Sequence, residues 1–540
     1  MTLPESLPFF PAKWRLVAGA LALVSMLSAC GGGGGDSGAG IPVAAAPQLP
    51  VTPGAPGSSG SVTPDPIPTE SLAELQNICA APRTGTDANG YAYSDRQGTV
   101  LDEMKFLRAW TDMNYLWYDE IPATVHMADY TNPLDYFDVL KTPALTAAGT
   151  PKDRFHFTYP TTVWDALNGR GEEVGYGVTW SRNAAPNVPR TWLAAIVEPG
   201  SPAAAAGLVR GDMLVAVDGI DFVSTADKAG VDNINAGLFP DNANENHKLT
   251  IRRAGSTFDV TLTSRVVVSD PVRNVKLLDT ASGKVGYLTF NDHNAVSEKQ
   301  LVDAFTTFKG AGVTDLVLDM RYNGGGLLTV AAELAYMIAG PGVAGKTFED
   351  LRYNGKTAPQ PVIPFRATAY GFPAPLPVRQ GQGLPSLGLK RVTVLTSSST
   401  CSASEAVING LRGVDVEVNL IGGQTCGKPY GFTPIDNCGT TYFSIQFRGV
   451  NAKGYGDFND GFAPTCAVPD DLAHSLGDPA ENQLAAALAY RATGACPAPA
   501  ARAGVGVLQS VRPAGATQLV RPAAKEIAIL QRAGGPENMK

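Results

Sequence analysis

The stretch "RVTVLTSSSTCSASEAVINGLRG" (391–413) sets a short apolar run against a helical repeat. Val392, Val394 and Leu395 read as a strand. Ala403, Ala406, Val407, Gly410 and Leu411 share one helix face at i, i+3, i+4 spacing. The same alternation extends outward. "KVGYLTF" (284–290) is a strand before an amphipathic helix, Val296 to Phe308. "TDLVLDM" (314–320) is apolar throughout, as in a strand buried on both faces. An Ala/Leu-rich helix, Leu327 to Ile338, follows it, and "VEVNLIG" (416–422) is the next strand. Strands and helices in turn over 269–498 predict a mostly parallel α/β core. A Pro/Gly-rich insertion, Gly345 to Lys390, carries no readable period.

Three other regions precede this core, and one follows it. Residues 71–166 read as helical, with apolar and aromatic side chains at helical spacing from Leu101 to Trp117 and a second helix from Pro133 to Lys141, started by Asn132-Pro133. Residues 167–268 turn to β character. There the stretch "SPAAAAGLVRGDMLVAVDG" (201–219) resembles a PDZ domain, and the resemblance implies binding of an extended peptide as an added strand. The loop Gly175-Tyr176-Gly177-Val178 is the candidate for holding the peptide carboxylate. The segment 499–540 is rich in Ala, Pro, Gly and Arg and reads as a low-complexity tail, with "AKEIAILQRA" (524–533) able to form a short helix.

The first 70 residues read as an address and a tether. Lys13 and Arg15 precede twelve mostly apolar residues, too few for the ~20 that span a bilayer. The run ends in Leu27-Ser28-Ala29-Cys30 and resembles a lipoprotein signal (1–30) in which Cys30 is lipidated. Residues 31–70 hold ten Gly and eight Pro and no Lys or Arg, which makes a tether. The expected location is the cell envelope, lipid-anchored at the outer membrane and facing the periplasm or the cell surface.

Composition narrows the function. Of 540 residues 44% are hydrophobic, which excludes a wholly disordered chain. The net charge of −8 comes without a basic block, which argues against nucleic acid as a partner. None of the five histidines stands in an HExxH pattern, so a zinc hydrolase is not indicated, and no metal or organic cofactor is implied. Without Cys30, six cysteines remain: Cys79, Cys401, Cys426, Cys438, Cys466 and Cys496. In an exported protein they are candidates for disulfides, and the expected pairs are Cys426–Cys438 and Cys466–Cys496.

The chemistry gathers at two strand ends. Ser402 stands at a strand-to-helix junction, where helix N–H groups and the dipole suit a developing oxyanion. Ser402-Ala403-Ser404-Glu405 is also a capping box, which needs no catalysis. Lys428 follows 26 residues later. An ordinary lysine, at its reference value of ~10.4, is neutral about once in a thousand at pH 7.4. A lysine base must therefore be buried. The chain contains neither a G-x-S-x-G elbow nor S-x-x-K.

Together, Asp319-Met320-Arg321-Tyr322-Asn323-Gly324-Gly325-Gly326, Ser402-Ala403-Ser404-Glu405 and Gly427-Lys428, in that order behind a PDZ pattern, resemble the C-terminal processing (tail-specific) serine peptidases. That resemblance covers roughly 72–496. It implies a helical N-terminal region, a PDZ domain and an α/β core of the ClpP/crotonase type. It also implies a serine endopeptidase acting on protein or peptide substrates, with Ser402 as nucleophile, Lys428 as general base and the N–H groups of Ala403 and of Gly325 or Gly326 as oxyanion hole. Glu405 is read as a cap. One departure is Phe432, where the family often carries a glutamine or similar group that orients the lysine. The Ser–Lys spacing is also one residue longer than the family's. Phe432 favours an alternative of another class, a non-catalytic PDZ-bearing binding or scaffolding lipoprotein on a degenerate peptidase body.

Overall fold

The computed structural model describes residues 64–87, 90–146, 149–183, 188–498, 517–520 and 528–529. The expected lipidation site at Cys30 and the Gly/Pro-rich segment up to residue 63 lie outside the described residues. Among the described residues no helix is long and apolar enough to cross a membrane.

The core is a six-stranded sheet in the order Val272–Thr280, Gly283–Phe290, Asp315–Asp319, Arg391–Thr396, Glu417–Gly422, Cys466–Ala467. The first two strands form an antiparallel hairpin and the remaining neighbours run parallel. Side chains alternate faces along a strand, and here both faces are covered. Leu288, Phe290, Leu316, Leu318, Val392, Val394, Val418 and Leu420 point into the larger apolar cluster, beneath helices Ser297–Gly310, Leu328–Ala339 and Ala403–Gly413. Val285, Tyr287, Val317, Leu395 and Ile421 point the other way, toward Leu484 and Ala487 of helix Asn482–Thr493. Burial on both faces explains why these strands read as unbroken apolar runs.

The insertion without a period is a strand and a long extended path. Thr347–Tyr353 pairs antiparallel with Phe447–Val450 and with Ile363–Pro364. Two buried carboxyls hold its next turn. Tyr370 N–H donates to Glu333 (2.8 Å), while Gly371 and Phe372 N–H donate to Glu298 (2.9 and 3.1 Å). Burial and the neighbouring Glu298 hold the Glu333 carboxyl well above the usual range.

In the N-terminal region Thr99 caps helix Val100–Asn114 through a capping box with Asp102. The buried stripe is Met104, Leu107 and Trp110, facing Phe137 and Tyr442, while Leu101 and Met113 are exposed. Two long-range ties fasten the region to the core. Phe157–Pro160 pairs with Thr440–Phe443, and Cys79 is bonded to Cys438. The second tie corrects the expected Cys426–Cys438 pair. The partner of Cys438 lies 359 residues away, beyond the reach of local spacing. The expected Cys466–Cys496 bond is present.

The PDZ sheet runs in the order Ser256–Thr263, Asn246–Arg253, Met213–Val217, Trp192–Val197, Val178–Asn183, Thr517–Val520. Helices Pro202–Ala205 and Lys228–Leu238 accompany it. The last strand of this sheet comes from the segment read as a low-complexity tail. The possible helix over 524–533 is also corrected, because Ala528–Ile529 is a strand between Gly326–Leu327 and Tyr430–Phe432. Compositional bias hid two short strands whose partners lie from about one hundred to more than three hundred residues upstream.

Glu349, in the strand Thr347–Tyr353, is buried, and its Oε2 has no hydrogen-bond partner among the described residues. Burial pushes its carboxyl up to about 8. A pKa raised on folding leaves stability intact below the unfolded value and lost as pH rises through the folded one. Glu349→Gln is expected to match the parent melting temperature at pH 4.5 and exceed it by several degrees at pH 8.5. Parallel thermal melts at the two pH values check this, and a constant difference would contradict the assignment.

Candidate active site

Ser402 ends the loop after strand Arg391–Thr396 and precedes the first residue of helix Ala403–Gly413. Its backbone takes φ +57° and ψ −115°, a region that non-glycine residues enter at a cost of about 1–3 kcal/mol. The Oγ is buried and makes no hydrogen bond among the described residues. The hydroxyl is therefore not spent as a helix cap. The reciprocal half of the capping box is present, with Ser402 N–H donating to Glu405 Oε2 (2.9 Å). Ala403, as the first helical residue, has no carbonyl one turn earlier in the helix to bond.

The glycine loop is built around Asn323. Its Nδ2 donates to Phe290 O (3.0 Å), and its Oδ1 accepts from Gly325 N–H (3.0 Å) and lies 3.0 Å from His293 Nδ1. Cys401 N–H and Ser404 Oγ both donate to Asn323 O, at 3.0 Å. One asparagine thus fixes the glycines relative to the serine junction. The N–H of Gly325 is engaged by that side chain. Gly326 has φ +129°, and a Cβ there would lie 2.5 Å from His293 O, so only glycine fits. His293 is fully buried, and burial lowers its imidazole to about 4, so it is neutral at pH 7.

Lys428 is 2% exposed. Its Nζ lies 4.0 Å from the centre of the Phe155 ring and 4.8 Å from that of Phe432. The departure at Phe432 therefore stands directly against the amine. Phe155 comes from the N-terminal region, and sequence reading missed it because nothing in its neighbourhood marks it.

Glu405 joins the two strand ends. It is fully buried and accepts from Ser402 N–H, Thr425 Oγ1 (2.6 Å), Gly427 N–H (2.9 Å) and Lys428 N–H (2.8 Å). Burial pushes its carboxyl upward, and those four donors pull it back. A disulfide runs parallel to this bridge. Cys401, next to Ser402, is bonded to Cys426, two residues before Lys428. This is the other half of the correction to Cys426–Cys438. The sulfurs of Cys401 and Cys426 and the carboxylate of Glu405 are close enough for a metal, but the bonded sulfurs offer no thiolate.

The PDZ loop residues lie apart from this cluster in sequence but form one turn. Gly175 ends the strand Glu172–Gly175, and Gly177, at φ +75°, accepts from Glu198 N–H (2.7 Å). Tyr176 is buried, its O accepts from Ala203 N–H (3.0 Å), and its hydroxyl donates to Gly237 O (3.1 Å). Val178 opens the strand Val178–Asn183.

With this arrangement in view, the comparisons are specific. Residues 284–468 match the sequence model of peptidase family S41, residues 103–159 its N-terminal domain, and residues 195–231 a PDZ domain. The matched segments follow one another in the order S41 N-terminal domain, PDZ domain, S41 peptidase. The chain is 34% identical over 152 residues to a carboxyl-terminal-processing protease of Picosynechococcus sp., covering 25% of this chain and 32% of that one. It is 26% identical over 264 residues to a carboxyl-terminal-processing protease of Synechocystis sp., covering 48% and 53%. The chain thus spans about a third and about half of the length of these two relatives. A crystal structure from Bacteroides fragilis, described as a candidate S41 protease, superposes with a TM-score of 0.55 at 25% identity, covering 74% of this chain and 99% of the other.

Glu405→Ala is expected to strand three backbone N–H groups, at about 1–3 kcal/mol each for those left buried. The expected result is a clear fall in melting temperature and loss of Ser402 labelling by a fluorophosphonate probe, with Glu405→Gln intermediate in both. Parental melting and labelling of the Ala variant would show that Glu405 bridges nothing of consequence.

Proposed function

We propose that this protein is an exported, lipid-anchored serine endopeptidase that hydrolyses peptide bonds of protein substrates through a Ser402/Lys428 dyad. The observation that carries the reading is the buried Ser402 hydroxyl without a hydrogen bond, on strained backbone at a helix N-terminus. Strain held where the surroundings over-determine it is a mark of functional sites. Glu405 and the Cys401–Cys426 bond support the pairing with Lys428, since both link the serine junction to the lysine loop.

In this mechanism the neutral Lys428 amine takes the Ser402 hydroxyl proton as Oγ attacks the substrate carbonyl carbon. The carbonyl π pair moves onto oxygen, and the oxyanion is held by the N–H groups of Ala403 and Gly326. Gly326 is the better of the two glycines, because Asn323 engages the N–H of Gly325. Lys428 then returns the proton to the leaving amine, the C–N bond breaks, and an ester to Ser402 remains. Water adds to that ester, giving its proton to Lys428, and Oγ leaves with it as the acid is released. The Lys428 amine is buried against the rings of Phe155 and Phe432. The turn Gly175–Val178 is the proposed seat of a substrate's terminal carboxylate, with the peptide added along Val178–Asn183. The lipid anchor rests on Cys30 and places the enzyme in the cell envelope, at the outer membrane.

Ser402→Ala is expected to abolish cleavage of unfolded casein and fluorophosphonate labelling while changing stability by less than ~1 kcal/mol, since the hydroxyl holds nothing. Lys428→Arg is expected to be inactive, because a guanidinium does not deprotonate in this range. Parental turnover by either purified variant removes that residue from the mechanism. A parent that neither cleaves nor labels would return the chain to the binding-protein reading. Cys30→Ser is expected to move the protein from the membrane pellet to the soluble fraction, and retention in the pellet would refute the anchor.

A further inference from the structure

Two strand edges of this molecule pair with a later segment of its own chain. Thr517–Val520 pairs antiparallel with Val178–Asn183, in the register Thr517 with Asn183 and Val520 with Trp180. That strand lies at the edge of the PDZ sheet and begins at the Gly175–Val178 turn. The added segment therefore runs toward that turn, as a peptide seeking its carboxylate seat would. Its side chains are bound on both faces. Val520 is buried in the PDZ core with Tyr176 and Trp180, and Leu519 is buried in the cluster of Ala195, Ile196, Tyr322, Leu472 and Leu476.

Eight residues on, Ala528–Ile529 lies between two strand ends that do not pair with each other. It runs parallel to Gly326–Leu327 on one side and to Tyr430–Phe432 on the other. These belong to the glycine loop and to the segment just after Lys428. Each presents backbone N–H and C=O groups that need a partner. The gap between them has the width of one strand, and a strand fills it.

We propose that Thr517–Val520 and Ala528–Ile529 act as an internal peptide ligand, the first occupying the PDZ groove and the second the strand slot beside Ser402, and that this slot is the subsite where an extended substrate backbone docks. The slot half rests on the proposed peptidase site. The order of the two contacts makes the segment an occluding strap. A substrate anchored by its terminal carboxylate in the PDZ groove offers preceding residues to the serine. Here the slot residues come after the groove residues, and Val520 continues into Arg521 without a terminal carboxylate. The seven residues between, even fully extended, reach at most about 29 Å, so one short peptide spans both places.

A tethered ligand competes at an effective concentration in the millimolar range. Displacing it should strengthen binding in trans about tenfold or more. The test uses the full chain carrying Ser402→Ala, with and without Leu519→Asp plus Val520→Asp, and a fluorescein-labelled synthetic peptide of residues 516–529. A second form stops after residue 516, and it decides the matter where the Asp pair fails to fold. Anisotropy is expected to give at least tenfold tighter peptide binding once the strap is displaced or removed. With Ser402 intact, the same changes should lower KM for unfolded casein and leave kcat unchanged. Peptide affinity within twofold of the parent in the folded variant overturns the inference. The binding arm is blind to chemistry. A gain in peptide binding without any casein cleavage keeps the strap and refutes the peptidase, and cleavage without that gain refutes the strap alone.

Discussion

The guanidinium of Arg321 is buried at the end of the central strand Asp315–Asp319, and the arrangement around it depends on its charge being met. It donates to Asp319 (2.9 Å), to both oxygens of Glu481 (2.6 and 2.9 Å) and to Asp470 (2.8 Å). Removing one partner of such a buried set costs about 3–5 kcal/mol, because a charge is left without compensation. Each partner also serves a second element. Glu481 caps helix Asn482–Thr493 by accepting from Leu484 N–H (3.0 Å). Asp470 accepts from Arg210 of the PDZ domain (2.8 Å), whose Nη1 donates to Tyr322 OH (2.7 Å). Arg321 O accepts from Ser397 Oγ, in the loop that leads to the nucleophile candidate. One cation thus sets the last helix, the PDZ domain and the glycine loop in a common frame.

From that frame the two chemical strand ends meet. Asn323, two residues after Arg321, orients the glycines and accepts two bonds from the serine junction, and Glu405 carries the alignment to Lys428. Every member of this chain is buried, so small displacements are resisted by packing and by hydrogen bonds that have no water to replace them. That is the condition under which a serine on unfavourable backbone torsions persists.

The sequence was most readable where physics is local. Strands buried on both faces announce themselves as apolar runs, and Val392, Val394 and Leu395 fall where the run predicts. Asn132-Pro133 marks a helix start through the asparagine side chain, which accepts from Leu134 N–H. What was hidden depends on separation along the chain. Cys438 finds Cys79, Lys428 finds Phe155, and Val178–Asn183 finds Thr517–Val520, none of which a window of adjacent residues contains. Glu405 was visible as a cap but not as a bridge, because its other donors arrive from the loop at Thr425–Lys428.

The Cys79–Cys438 bond has a mechanical consequence. It makes residues 79 to 438 a covalent ring that contains the PDZ domain, Ser402 and Lys428. Tension applied to the chain before Cys79 and after Cys438 passes through the two sulfurs, leaving the ring between them slack. The cross-link lands on the turn between Ile435–Asn437 and Thr440–Phe443, a hairpin paired with Phe157–Pro160. A pull from the N-terminal side is therefore delivered as shear along a three-stranded sheet, and the backbone around the buried serine lies off the load path.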